Sequence, residues 1–184
     1  MRIRVLTADE FQAYYDKYAN VLFEDSLWFD VAQVHTPSEA AGFPVMRDRL
    51  SGRWELHLGA FEGEEFLGWC SSFQTKPLEL YMRNSVVLPE HRRKGVYTQL
   101  MLSVVARARE AGFQTVSSYH VCTNNAVIIP KLKEGFHIVG VEVWDEVGVV
   151  VKLVKHLNEV RQEVLDFRAG AMKPNERVRK LFKI

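Results

Sequence analysis

Two cysteines, Cys70 and Cys122, are all that the 184 residues contain. That is too few for a disulfide framework, so both read as reduced, buried, inert thiols of a cytoplasmic protein. No long apolar run is present. The start of the chain alternates Arg2, Ile3, Arg4 and Val5 and lacks the apolar core of a signal peptide. The uncharged stretch over residues 113–130 is interrupted by Ser117, Ser118, His120, Thr123, Asn124 and Asn125, which excludes a membrane span. An excess of one charge is also missing. With 24 basic and 23 acidic residues the net charge is +1, which argues against bulk attraction to nucleic acid or a membrane surface. Any bound anion must be held by a local cluster. No metal site is expected, because His120 and Cys122 have no third ligand at a recognisable spacing. What remains is ordinary for a globular domain: 47% apolar and 26% charged residues.

The elements follow from periodicity. Residues 2–6 form a short strand. Thr7 and Glu10 then make a capping box for a helix with Phe11, Tyr14, Tyr15, Tyr18, Val21 and Leu22 on one face. A second cap, Thr36-Pro37-Ser38-Glu39, opens a helix that Gly42 and Pro44 should keep short. From Trp54 the period changes to two, giving a hairpin that turns at residues 62–65. A fourth strand, residues 79–88, sets Leu80 and Met82 against Tyr81 and Arg83. A helix over residues 95–111 follows and stops at Gly112. Next come a strand over 115–121, a helix signalled by the cap Thr123-Asn124-Asn125 and running to Lys133, which Pro130 should kink, and two strands over 136–144 and 147–155. The order predicts an α/β domain with a mixed, mostly antiparallel sheet over residues 1–156. Residues 157–184 read as a C-terminal helix and basic tail, with five cations and one acid from Lys173 onward.

One segment carries chemistry. After the strand ending Val86-Val87-Leu88-Pro89 come Arg92, Arg93 and Lys94, then Gly95 at the start of a helix. A helix N-terminus is already positive, so stability alone would put Asp or Glu there. Three cations at that end, with free amides behind them, fit a phosphate or diphosphate. The loop is neither a P-loop nor a dinucleotide fingerprint, because it holds a single glycine.

Arg92-x-x-Gly95-x-Tyr97 after that strand resembles the acyl-CoA loop of the GNAT (GCN5-related) N-acetyltransferase superfamily, whose pattern is Gln/Arg-x-x-Gly-x-Gly/Ala. Asn124-Asn125-Ala126 followed by Gly135-Phe136 is similar to the family's later helix and strand. The resemblance spans about residues 2–155. It implies the GNAT acyltransferase fold, with two splayed parallel strands, here 79–88 and 115–121, binding acyl-CoA between them. It further implies pantetheine contacts from the backbone of Val86, Val87 and Leu88, and a pyrophosphate held beside Arg92 by the amides of Arg93, Lys94, Gly95, Val96, Tyr97 and Thr98. Asn124 would bond the cofactor's arm or a catalytic water. Two departures stand out: Tyr97 occupies the usual small position, and Lys131 stands where many members carry a tyrosine that protonates the departing thiolate. That general-acid role is left unassigned.

The implied reaction is direct transfer of an acetyl group from acetyl-CoA to a primary amine in a ternary complex, without a metal. The amine is largely protonated at neutral pH, so a base is required. Glu79, at the start of the fourth strand, is the first choice if water relays the proton; Tyr81 shares its face. His120, at the end of the partner strand, is the rival. Trp28, Phe29 and Trp54 are candidate acceptor-pocket residues, although core burial is the simpler role for them. The acceptor is a small-molecule or peptide amine. A stripe of Val160, Val164 and Phe167 is a candidate homodimer face. The alternative function is a non-catalytic acyl-CoA-binding or sensing module with the same fold.

Overall fold

The computed structural model describes residues 1–23 and 31–184. Trp28 and Phe29 lie outside the described residues. Seven strands make one sheet: β1 (Arg2–Leu6), β2 (Glu55–Glu62), β3 (Glu65–Lys76), β4 (Glu79–Val87), β5 (Thr115–Val121), β6 (His137–Trp144) and β7 (Gly148–His156), in the order β1-β2-β3-β4-β5-β7-β6. Every neighbouring pair is antiparallel except β4 and β5, which are parallel and joined by a helical crossover.

The helices are α1 (Ala8–Leu22), α2 (Pro37–Asp48), α3 (Val96–Glu110), α4 (Asn125–Lys133), α5 (Glu159–Arg168) and α6 (Glu176–Phe182). The Thr7/Glu10 capping box closes the start of α1 in both directions. Gly112, at φ 86°, ends α3 in the left-handed conformation that a side chain resists. Helix α2 is longer than Gly42 and Pro44 suggest and runs through Pro44. Its described positions are exposed, so the proline removes an amide bond without unpacking any neighbour. The basic C-terminus is also ordered as a helix: Asn175 caps α6, Val178 is buried and Phe182 meets Phe167 with ring centroids 5.9 Å apart. Val160, Val164 and Phe167 are half-buried. Cys70 is buried as expected, whereas Cys122 is exposed just beyond β5.

Two apolar layers sandwich the sheet. One face packs Leu56, Leu58, Leu80, Met82, Val116 and Leu153 against Val96, Leu100, Met101, Val104 and Ala108 of α3. Each such fully buried side chain contributes roughly 1.5–3 kcal/mol. The other face packs Phe61, Phe66, Trp69, Val86 and Leu88 against Phe11, Tyr14, Tyr15 and Tyr18 of α1. Tyr14 stacks on Phe66 at 3.8 Å between centroids. Gly68 lets β3 and β4 close up: a Cβ there would sit 2.2 Å from the Val86 carbonyl oxygen.

The central pair is irregular in a way that makes room. Ser71 pairs with Asn84 and Ser72 with Met82, so Arg83 is an extra residue in β4. Such a bulge increases local twist. At the same point the parallel ladder ends. Glu79 pairs with Thr115, Leu80 with Val116 and Tyr81 with Ser117, and no later pair forms between β4 and β5. β5 meanwhile stays fully paired with β7 as far as Val121.

Candidate active site

The split between the second halves of β4 and β5 opens into a cavity of about 560 Å³, lined by Tyr15, Ala19, Tyr81, Arg83, Asn84, Tyr119, His120, Asn124 and Trp144 among others. α1 supplies one wall, and the aromatic residues on β4, β5 and β6 supply the floor. Tyr81 and Tyr119 meet edge to face at 6.1 Å, and Tyr119 packs on Trp144 at 4.7 Å.

The backbone beside the split carries free donors. Leu88 N–H bonds the Leu67 carbonyl, and its own carbonyl accepts from His91. Leu88 therefore spends both backbone groups inside the fold. Antiparallel pairing alternates, so the N–H of the preceding Val87 turns toward the split. Arg92 does not point freely outward: its Nε donates to the Val87 carbonyl at 3.1 Å and ties the loop to the strand.

The start of α3 is built unlike the other capped helices. Thr7, Asn158 and Asn175 accept amide bonds at the starts of α1, α5 and α6. At α3 the cap is Gly95, with no side-chain cap bond and no acid in the first turn. Among the described residues, the amides of residues 93–98 donate to no backbone carbonyl. Arg93 and Gly95 both have positive φ, 60° and 79°, which curls the loop into a concave row of N–H groups. Arg93 and Lys94 are exposed beside it. These are the donors and charges that a diphosphate requires, and among the described residues no protein group uses them. Tyr97 packs its ring against the α3-side core, where its hydroxyl is buried without a partner. Asn124 sits at the start of α4 without capping it, which leaves its amide at the cavity.

The three candidate acid–base residues are separated by the split. Glu79 lies at its closed end, where the ladder is intact, and accepts a hydrogen bond from Ser117 at 2.8 Å. Lys76 Nζ is 3.4 Å from the same carboxylate. Burial pushes the Glu79 carboxyl up, but Ser117, Lys152 and Lys76 outweigh it and hold the group below its ordinary value. Tyr81 lines the cavity, and burial raises its hydroxyl pKa. His120 lines the cavity too; burial first, then the nearby Lys131 charge, pulls it down to about 3, so it is a neutral imidazole at physiological pH.

The sequence reading assigned no role to Lys131. It is fully buried on α4, and its Nζ donates to Ser118 Oγ at 2.8 Å and lies 3.2 Å from Met82 Sδ. The ammonium also stands 4.5 Å from the Phe136 ring centroid. Among the described residues no carboxylate pairs with it, and burial pulls it down to about 7. Among the described residues, no group of three His, Cys, Asp or Glu side chains is arranged to hold a metal, and no helix is long and apolar enough to cross a membrane.

A mixed sheet with one split parallel pair, followed by an anion-ready helix start, defines an acyltransferase type of α/β fold. A profile of the acetyltransferase (GNAT) family matches residues 14–136, and the chain belongs to that family. No curated protein sequence matches the chain. Among solved structures, YncA of Salmonella typhimurium, determined with its cofactor acetyl-CoA, superposes with a TM-score of 0.64 at 18% identity, over 86% of this chain and 95% of that one. A ribosomal-protein-alanine N-acetyltransferase from Brucella melitensis gives 0.63 at 19% identity, over 85% and 100%. A Bacillus subtilis acetyltransferase in complex with CoA gives 0.60 at 18% identity, over 85% and 98%. These likenesses establish the fold.

Proposed function

We propose that this protein transfers an acetyl group from acetyl-CoA to the primary amine of an acceptor held in the aromatic cavity. The observation that carries this reading is the unused anion cradle at α3 placed directly beyond the split in the sheet. The amides of Arg93, Lys94, Gly95, Val96, Tyr97 and Thr98 would hold the pyrophosphate, with the Arg93 and Lys94 charges beside it and Arg92 bracing the loop. Val87 would offer its carbonyl, which Arg92 also bonds, to the pantetheine arm, and Asn124 its side-chain amide; Val86, in phase with Leu88, faces β3 instead. Val87 N–H is the donor available for the charge that develops on the thioester oxygen.

For the base we favour His120 over Glu79. His120 is neutral and at the cavity, whereas Glu79 is engaged by Ser117 and Lys76 at the closed end. A base must reach the proton that it removes, directly or through one water. Two unpaired thiols and the balanced surface charge suit a cytoplasmic site of action.

A second reading, a non-catalytic acyl-CoA sensor, is favoured by one fact: no carboxylate lines the cavity among the described residues. Calorimetric titration with acetyl-CoA and CoA tests what the two readings share. Absence of binding by both ligands at millimolar concentration would overturn both. Thiol release from acetyl-CoA across a panel of amines, amino acids, polyamines and peptide N-termini separates them. Acceptor-dependent release supports the transferase, and binding without release supports the sensor.

A further inference from the structure

A buried ammonium with no carboxylate partner is costly, so its surroundings call for an explanation. Lys131 Nζ bridges Met82 of β4 and Ser118 of β5, and these are the first residues beyond the last ladder pair, Tyr81 and Ser117. It therefore sits at the apex of the split. Ser118 Oγ is shared: it lies 2.8 Å from Lys131 Nζ and 3.0 Å from His120 Nε2. Ser118 is fully buried, so no water competes for its hydroxyl. His120 in turn lines the cavity, and its other ring nitrogen has no hydrogen-bond partner among the described residues. Among the described residues two titratable groups face Lys131, His120 from β5 and the buried Cys70 thiol from β3.

We propose that Lys131, Ser118 and His120 form a proton relay from the cavity to the apex of the split, carrying the acceptor amine's proton toward the departing thiolate. The direction of transport rests on the acetyl-transfer reading; the relay itself rests on the three side chains. It has two proton arrangements. With Lys131 charged, Nζ donates to Ser118 Oγ, the serine hydroxyl donates to His120 Nε2, and the imidazole carries its proton on Nδ1. With Lys131 neutral, the chain reverses: Nε2–H donates to Ser118, the hydroxyl donates to Nζ, and Nδ1 is left with a lone pair.

The second arrangement is ready for turnover. As the amine nitrogen bonds to the thioester carbon, its proton passes to Nδ1. The Nε2 proton moves to Ser118 Oγ, and the serine's own proton moves to Lys131 Nζ. The carbon–sulfur bond breaks with its electron pair on sulfur, and Lys131 gives the thiolate a proton. One proton has then moved from amine to thiol, and Lys131 is neutral again. After CoA leaves, water entering the split gives Lys131 a proton while Nδ1 loses one to cavity water; the serine proton then passes to Nε2 and a lysine proton to Ser118, which restores the second arrangement.

Long-range proton–nitrogen NMR of labelled imidazoles reads the tautomer directly and needs no acceptor. In the wild type, His120 should stay neutral from about pH 5.5 to about pH 9 while its proton shifts from Nδ1 to Nε2 as Lys131 loses its charge. Ser118→Ala and Lys131→Met should each abolish the shift, with backbone spectra confirming the fold. A single tautomer throughout in the wild type would overturn the relay. So would an imidazolium forming near the ordinary histidine value, or a shift that persists in Ser118→Ala. In the thiol-release assay, Ser118→Ala should lower kcat about a hundredfold with KM for acetyl-CoA unchanged, and Ser118→Thr should restore part of it. A loss confined to KM would overturn the catalytic use of the relay. A tautomer shift without acceptor-dependent thiol release by the wild type would uphold the relay and overturn the acetyl-transfer reading.

Discussion

Replacing Lys131 by methionine should make the protein more stable at neutral pH, although it removes two hydrogen-bonding contacts. Burial draws the lysine from 10.5 to about 7. Each unit is worth about 1.4 kcal/mol, so the shift corresponds to about 4–5 kcal/mol. The folded-state value lies below the unfolded one. As pH falls from about 10.5, the unfolded chain takes up the proton first, so stability declines toward about pH 7 and levels off below it. Near pH 7 most of the penalty is therefore present. Methionine is unbranched and of similar length, and it can occupy the space beside Met82 and Phe136 without a charge. The expected gain is about 3–4 kcal/mol near pH 7, shrinking by about 1.4 kcal/mol for each pH unit upward. Urea unfolding of both proteins from about pH 7 to about pH 9.5 measures it, and the difference between the curves cancels the other titrating groups. Lower stability of K131M near pH 7, or parallel curves across the window, would refute the reasoning.

His120→Gln should lower kcat by about a hundredfold or more, and Glu79→Gln by a few-fold at most. A pH–rate profile in which only Glu79→Gln removes the acidic limb would reverse that order. Charge reversal in R93E/K94E should weaken CoA binding by at least about tenfold at low salt, with a smaller loss at high salt. Calorimetry that shows equal affinity would remove these cations from the phosphate site. Gly68→Ala should cost about 3 kcal/mol or more, because its Cβ meets backbone atoms of β4 at 2.2 and 3.0 Å. An unfolding midpoint matching the wild type would show that β3 moves without cost.

The frame of this fold was legible because local chemistry wrote it. Thr7 with Glu10, Thr36 with Glu39 and Gly112 mark helix ends at their own positions, and period-two runs mark the hairpin. The phosphate loop was legible for the opposite reason, since three cations at a helix start contradict what stability prefers. The interior of the site was not. The bulge at Arg83 uses neither glycine nor proline and exists only through pairing with β3. Lys131 reads as a solvated charge, since lysine is almost never buried, and only the packing of α4 under the split reveals otherwise. The shared serine needed two contacts, one from α4 and one from β5, to be seen. Composition alone did not reveal the order in the basic tail, where Arg177, Arg179 and Lys180 lie on a capped helix whose Val178 is buried.

The extra residue in β4 changes the phase of the strand. Before it, even-numbered Leu80 and Met82 point to the α3 layer; after it, even-numbered Val86 and Leu88 point to the α1 layer, and Val87 takes the α3 side. Replacing the Arg83 side chain leaves the bulge intact, whereas deleting the residue would remove it. Side-chain alternation would then run unbroken from Met82 to Asn84, with Val86, Val87 and Leu88 in their present layers and Asn84 still beside Trp69, whose Nε1 donates to it at 2.9 Å. What the strand would lose is the twist that parts it from β5. The opening in the sheet is thus encoded as a count of residues rather than as a residue type, so a survey of point substitutions would pass over it while a one-codon deletion would close it.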